Sequence, residues 1–172
     1  LEGLFNLVGD WDGLVDVLAR KSMQAETPEQ RCELLRTKAS IHEDLLASPA
    51  DAIDSYRQAL EADPMSVPAL DALDRLYEAA SEWVDLIEVR RQRLDVVTDL
   101  EPRLQVMRSI AGIYEEKMDD AFEAITAWRA VLDESPEDAA AVAALDRLFT
   151  KESMHMELLE NLQLQKRIVQ DQ

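Results

Sequence analysis

Three side chains in this sequence belong to the types that most often do chemistry in proteins: His42, His155 and Cys32. The two histidines lie far apart in the sequence, and neither has a second His or Cys at the spacing of a metal site. Met154 and Met156 flank His155, but three consecutive residues of a helix do not face one point. Cys32 has no histidine near it in sequence that would activate the thiol as a nucleophile. These residues therefore predict no metal site and no cofactor.

Carboxylate pairs are the other groups that could be catalytic, and they occur throughout the chain, as at 115–116 and 119–120. With 36 Asp and Glu residues such pairs arise by chance, and nothing in the sequence distinguishes one of them. The chain also lacks a glycine-rich loop that ends in Lys-Ser or Lys-Thr and would hold a phosphate. We therefore predict no catalytic residues and a protein that is not an enzyme.

Composition narrows the range of partners. The formal net charge is −18, and an acidic surface repels phosphate backbones, which argues against nucleic acid. No apolar run approaches the roughly 20 residues that cross a bilayer, so no membrane partner is predicted. A single cysteine excludes a disulfide within the chain and favours the cytoplasm, although the compartment stays unknown. The chain opens inside what reads as a helix, so we expect a fragment of a longer repeat protein.

The sequence repeats itself in a constant register. The segment ALDRLY at 72–77 returns as ALDRLF at 144–149. Residues 1–72 match residues 73–144 at 18 positions without a gap. A register that holds through the whole chain indicates duplicated structure. We predict a single repeat segment that consists of units 1–72 and 73–144 and a partial unit 145–172.

Within each unit the apolar residues recur at helical spacing, as in the stripe around Trp128. No segment alternates apolar and polar residues long enough to predict a strand. The sequence predicts ten helices, and connections of two to four residues would make neighbouring helices antiparallel. The predicted ranges are 1–8, 11–24, 28–46, 49–62, 66–79, 82–97, 100–117, 120–133, 137–150 and 153–170.

Capping residues and prolines mark several helix starts. The segment TPEQ at 27–30 offers Thr27 as N-cap, Pro28 at the first helical position and Gln30 as the partner of a capping box. The segments SPAD at 48–51 and SPED at 135–138 carry the same signal. We expect each of the three to begin a helix.

In the stretch 111–136 the small residues Ala111 and Gly112 are followed by Tyr114, and Trp128 and Pro136 come later. This pattern resembles a tetratricopeptide repeat (TPR), which has a small pair and a tyrosine near these positions. The pattern returns one unit earlier and is weaker in the intervening hairpins. The resemblance implies an all-α fold of antiparallel helix pairs, about ten helices in a right-handed α-solenoid. Other α-solenoid families of helix pairs are the alternative, and they stack by the same physics.

The resemblance also implies where a partner binds, because TPR proteins hold peptides or protein segments on a concave face lined by the first helix of each pair. Arg75 and Arg147 are equivalent in the repeat register and could anchor an acidic group of a partner. Local pairing of Arg75 with Asp71 at i,i+4 is the alternative. The candidate partner-binding residues are Arg75, Arg147, Asp71, Glu78, Thr37, Ile41, Ser109 and Ile113.

The predicted function is protein–protein interaction or scaffolding, with a protein or peptide partner of unknown identity. The alternatives are a structural spacer in a long superhelix and self-association into a homo-oligomer through exposed repeat ends. One feature of the repeat stays unexplained by the sequence. Asp74 and Asp146 stand where Ser40 and Gly112 provide small residues for close packing.

Overall fold

The computed structural model describes residues 9–170, except for the side chains of 164 and 167–170. These residues form nine α-helices and no strand, so the all-α prediction is confirmed. The predicted helix 1–8 lies outside the described residues, and the other nine predicted helices end within two residues of the observed bounds. The helices are α1 (Trp11–Met23), α2 (Pro28–Asp44), α3 (Pro49–Ala62), α4 (Val67–Ala80), α5 (Trp83–Val96), α6 (Leu100–Glu116), α7 (Ala121–Glu134), α8 (Ala139–Lys151) and α9 (His155–Gln170).

Polar caps fix several helix starts. The hydroxyl of Thr27 accepts a hydrogen bond from the backbone N–H of Gln30 at 3.2 Å, as the TPEQ signal predicts. The Gln30 side chain accepts a bond from the N–H of Glu26, one residue earlier than in a standard capping box. The SPED prediction is wrong in its register. Ser135 ends α7, and the N-cap of α8 is Asp138, whose carboxylate accepts from the N–H of Ala141 at 2.9 Å.

Contacts divide the chain into two compact units, Leu1–Val96 and Val97–Gln172. The first unit contains α1–α5, and the second contains α6–α9. The boundary falls in the connection between α5 and α6, whereas the sequence repeat runs across it. In the first unit the most deeply buried large side chains are Leu70, Leu73 and Leu86, and in the second they are Val131, Leu145 and Leu148.

Within each unit every helix packs against the next along the chain, through connections of two to four residues. Such short connections require antiparallel neighbours. Fully buried small residues occur at equivalent positions of the paired helices. Ala39 and Ala52 in α2 and α3 are 0% exposed, and so are Ala111 and Ala124 at the equivalent positions of α6 and α7. A larger side chain at these positions would force the helices apart.

The duplication extends to the backbone of the turns. Ala47 and Asp119 both have positive φ, at 49° and 51°. After each of them a backbone N–H reaches back across the turn, from Ser48 to the carbonyl of His42 at 2.8 Å and from Asp120 to that of Tyr114 at 2.9 Å. Ser81 and Ser153 form a second such pair, with φ of 58° and 57°. The sequence repeat is therefore a repeat of structure.

Candidate functional site

The two candidate arginines occur in one arrangement of three residues that the chain forms twice. In the first unit Glu43, near the end of α2, forms an ion pair with Arg75 of α4. The hydroxyl of Tyr56, on the intervening helix α3, donates to the same carboxylate at 3.5 Å. Burial raises the pKa of Tyr56, and the nearby Glu43 raises it further, so the hydroxyl stays protonated and keeps its role as donor.

The second unit repeats this arrangement at the equivalent positions. Glu115 of α6 accepts a hydrogen bond from Nη2 of Arg147 in α8 at 2.9 Å. The indole Nε1 of Trp128, on α7, donates to the other carboxylate oxygen at 3.0 Å. Trp128 stands where the first unit has Tyr56, and both side chains donate to the shared acid. We call the two sets the Glu–aromatic–Arg clusters.

Each cluster links two successive first helices of helix pairs and leaves its arginine accessible. The side chains of Arg75 and Arg147 are 62% and 61% exposed, whereas those of Glu43 and Glu115 are 15% and 16% exposed. The carboxylate therefore holds a guanidinium that remains largely accessible to solvent. A guanidinium has five N–H donors in a fixed fork, so it can bind a second carboxylate while it keeps the first.

The alternative in which Arg75 pairs locally with Asp71 is wrong. Arg75 forms its ion pair with Glu43, and the carboxylate of Asp71 pairs with Arg93 of α5. The helical spacing of Asp71 and Arg75 permits contact, but each residue finds a partner on another helix. This difference depends on how the helix pairs stack and cannot be read from the i,i+4 spacing.

The other candidate residues differ in how much of each side chain is exposed to solvent. Thr37, Asp71 and Glu78 are exposed on the first helices of the first unit, and Ser109 is half-buried in the second. Ile41 and Ile113 are each 6% exposed and belong to the core. Their side chains pack inside their units and offer almost no surface to a partner.

Asp74 and Asp146 are explained by polar partners on the following helix. The guanidinium of Arg90 in α5 donates to Asp74 at 2.7 and 3.1 Å, and its side chain is only 13% exposed. In the second unit Asn161 of α9 donates to Asp146 at 2.8 Å, and Gln165 donates to the same carboxylate. An acid at this position is therefore paired across the helix hairpin in both units.

The residues that could do metal or nucleophile chemistry lie apart. His42 is half-buried, with an Nδ1 that has no hydrogen-bond partner among the described residues, and His155 is exposed. Cys32 is buried at 3% exposure. Within residues 9–170 no three His, Cys, Asp or Glu side chains are grouped closely enough to hold a metal ion. Over the same residues no helix combines the length and apolarity needed to cross a membrane.

Comparison with solved structures identifies proteins that resemble this chain in fold. A crystal structure of MamA aligns over 99% of this chain and 97% of its own, at 18% identity and a TM-score of 0.50. A second MamA structure aligns over 95% of this chain and 85% of its own, at 16% identity and a TM-score of 0.51. Nearly identical TPR-like repeats from Podosopora anserina align over 98% of this chain and 91% of their own, at 16% identity and a TM-score of 0.49.

At identities of 18% and 16%, the two MamA structures show similarity of fold over almost all of the chain. The predicted all-α array of antiparallel helix pairs is confirmed. No family model matches the sequence. No curated protein matches it either.

Proposed function

We propose that this chain is a protein-interaction module and that its binding surface lies on the exposed sides of the first helices, α2 and α4 in one unit and α6 and α8 in the other. The Glu–aromatic–Arg clusters carry the proposal. Each unit uses a partly buried carboxylate to fix an exposed guanidinium. A fixed guanidinium loses little conformational freedom when it binds a carboxylate of a partner.

Other polar residues of the first helices complete the proposed surface. In the first unit these are Thr37, Asp71 and Glu78, and in the second Ser109 adds a hydroxyl. Ile41 and Ile113 are not part of the surface because they are buried. The partner we propose is an extended segment or helix of another protein that places an acidic side chain against Arg75 or Arg147.

Affinity capture from a lysate of the source cell, with the chain as bait, tests this function. The test variant is Arg75→Gln/Arg147→Gln, in which an amide can still donate to Glu43 and Glu115. The matched control, Arg20→Gln/Lys166→Gln, removes two exposed cations from α1 and α9. We expect a protein that is retained by the native chain and by the control and is lost from the test variant.

Two outcomes would contradict the proposal. Equal retention by all three baits would move the binding site away from the arginines. Retention of nothing by any bait would remove the interaction function itself. Thermal unfolding of each bait, followed by circular dichroism, ensures that a loss of binding is not a loss of folding.

A second candidate function, self-association, is favoured by an apolar stripe on α9. Met156, Leu159 and Leu162 recur at every third position and are 69%, 50% and 47% exposed. Apolar side chains at helical spacing on one open face are typical of an interface. Sedimentation velocity over a range of concentrations tests it. A mass that stays at 19.5 kDa throughout would exclude self-association.

A further inference from the structure

A groove in the first unit lies between the two second helices, α3 and α5, with α4 at its floor. It encloses about 320 Å³, and no residue of the first-helix surface lines it. The floor is apolar and includes Leu73 and Tyr77, which are buried at 1% and 2% exposure. Further apolar residues of the lining are Leu60, Pro64 and Val89.

The rim of this groove has an excess of negative charge. It carries the carboxylates of Glu61, Asp85 and Glu88 against the single guanidinium of Arg57. Arg57 is engaged with the hydroxyl of Tyr77, which burial keeps protonated by raising the pKa of that tyrosine. An apolar floor beneath an acidic rim is complementary to a long cationic side chain, because such a chain packs its methylene groups on apolar surface and keeps its charge at the edge.

The internal repeat retains most of the residues that line this groove. Ten residues line the groove, and the next repeat has the same residue type at five of the equivalent positions. These five residues of the next repeat are Arg129, Leu132, Pro136, Leu145 and Glu160. Three more keep their chemical class, as Asp133, Phe149 and Glu157. By contrast, residues 1–72 and 73–144 match at only 18 positions. The apolar identities serve the core, but packing does not require three carboxylates and an arginine at the surface.

The second unit also brings its arginine to the equivalent aromatic residue, with a different geometry. Cζ of Arg129 lies 5.4 Å from the centre of the Phe149 ring, whereas in the first unit Arg57 interacts with the hydroxyl of Tyr77. In both units the arginine is therefore engaged with the aromatic residue. The three carboxylates then remain as the charged groups that a ligand would meet.

We propose that the groove of the first unit binds an arginine or lysine side chain from a basic, apolar segment of a partner protein. The aliphatic stem lies against Pro64, the exposed apolar residue of the lining, and the cation lies among the carboxylates of the rim. The site is distinct from the first-helix surface and selects the opposite charge. A partner that engages both would place an acidic residue on Arg75 and a basic one in this groove.

Titration of the ¹⁵N-labelled chain with a defined peptide tests the site. The probe is an acetylated and amidated pentapeptide, Gly-Leu-Arg-Leu-Gly, and its neutral control has citrulline in place of arginine. We expect saturable shifts of backbone amides in α3–α5, and binding of the citrulline peptide that is weaker by about five-fold or more. Glu61→Gln/Glu88→Gln should weaken the arginine peptide by a similar factor.

The matched control is Asp16→Asn/Glu29→Gln, which removes the same number of exposed carboxylates from α1 and α2, outside the groove. We expect this control to retain native affinity. The proposal would be overturned by equal binding of the citrulline peptide or by an equal loss of affinity in the control variant. Shifts confined to α2 and the exposed side of α4, or the absence of any saturable shift, would also overturn it. Shifts that depend on protein concentration without peptide would assign the groove to a second copy of the chain and would also overturn it. The test does not involve Arg75 or Arg147, so it fails or succeeds separately from the proposed function.

Discussion

At the scale of single residues, charged side chains form ion pairs that connect one helix to another. Asp138 is the clearest case, because one carboxylate both caps α8 and binds Arg108 of α6. Nε of Arg108 lies 2.8 Å from its Oδ2, and the side chain of Asp138 is only 3% exposed. Burial alone would raise the pKa of Asp138, but the hydrogen bonds from Arg108 and from the N–H of Ala141 outweigh it and lower the pKa.

Asp138→Asn tests the charge at this site. Asparagine is as good an N-cap as aspartate, so the substitution removes the charge and keeps the cap. We expect the free energy of unfolding at pH 7 to fall by about 1.5–3 kcal/mol, the usual contribution of a hydrogen bond to a charged group. Urea unfolding of the native and variant chains measures the difference.

The pH dependence of that difference follows from the direction of the pKa shift. A carboxyl whose pKa is lower in the folded chain than the ordinary 3.8 adds stability above that value and loses it as pH falls through the folded pKa. The native chain should therefore exceed Asp138→Asn by a constant amount from about pH 7 to pH 5 and approach it below about pH 4. Asp16→Asn, at an exposed site, should change stability by less than about 0.5 kcal/mol. A difference that did not vary with pH would attribute the effect to the cap and not to the ion pair.

At the scale of helices and their turns, the chain uses residues other than glycine in left-handed conformations. Ala47, Ser81, Asp119 and Ser153 have φ between 49° and 58°, each in the connection after a helix. Glycine is the residue that usually takes this position at a helix end, because a Cβ atom makes the left-handed conformation unfavourable. Asp119 has a compensating contact, since its carboxylate accepts from Nζ of Lys151 at 2.6 Å. The methyl group of Ala47 makes no hydrogen bond.

Ala47→Gly should therefore stabilise the protein. The strain of the left-handed conformation is relieved, and the glycine adds some entropy to the unfolded chain, so we expect a net gain of about 0.5–1 kcal/mol. Ala143→Gly is the matched control, because it makes the same chemical change at an exposed position inside α8 and should cost about 0.5–1 kcal/mol. Thermal and urea unfolding measure both. A loss of stability in Ala47→Gly would mean that the turn is held without strain.

At the scale of the whole molecule, the formal net charge of −18 is the dominant electrostatic fact. Like charges repel most strongly in the compact state, so a large net charge keeps a protein soluble and lowers its stability. The ion pairs described above are mostly exposed on at least one side, and such pairs add only about 0–1 kcal/mol each. Added salt should therefore weaken the repulsion between like charges more than it weakens the attraction within the ion pairs.

We expect the melting temperature at pH 7 to rise by several degrees when NaCl increases from about 10 mM to about 150 mM, over which the screening length falls to about 8 Å. The rise should be smaller at pH 5, closer to the isoelectric point of about 4.4, because the net charge is smaller there. Differential scanning calorimetry at both pH values measures it. A melting temperature that falls with salt at pH 7 would mean that the ion pairs outweigh the repulsion between like charges.

The fold class, nine of the helices to within two residues and the internal repeat all follow from the amino-acid sequence alone. Helical periodicity and the Thr27 cap are local signals, so residues within a few positions of one another decide them. The SPED signal at 135–138 misleads because a serine before a proline can end one helix or begin the next.

Which residues meet across helices depends on tertiary packing. The pairing of Arg75 with Glu43 follows from how successive helix pairs stack, and the pairing of Asp74 with Arg90 follows from packing within one helix pair. The burial of Ile41 is likewise a result of packing. Glu43 and Arg75 are separated by the same number of residues as Glu115 and Arg147. This spacing brings the side chains together only because the first helices pack side by side within each unit. The groove between α3 and α5 is a still longer-range feature, since three helices must pack before its apolar floor and acidic rim exist.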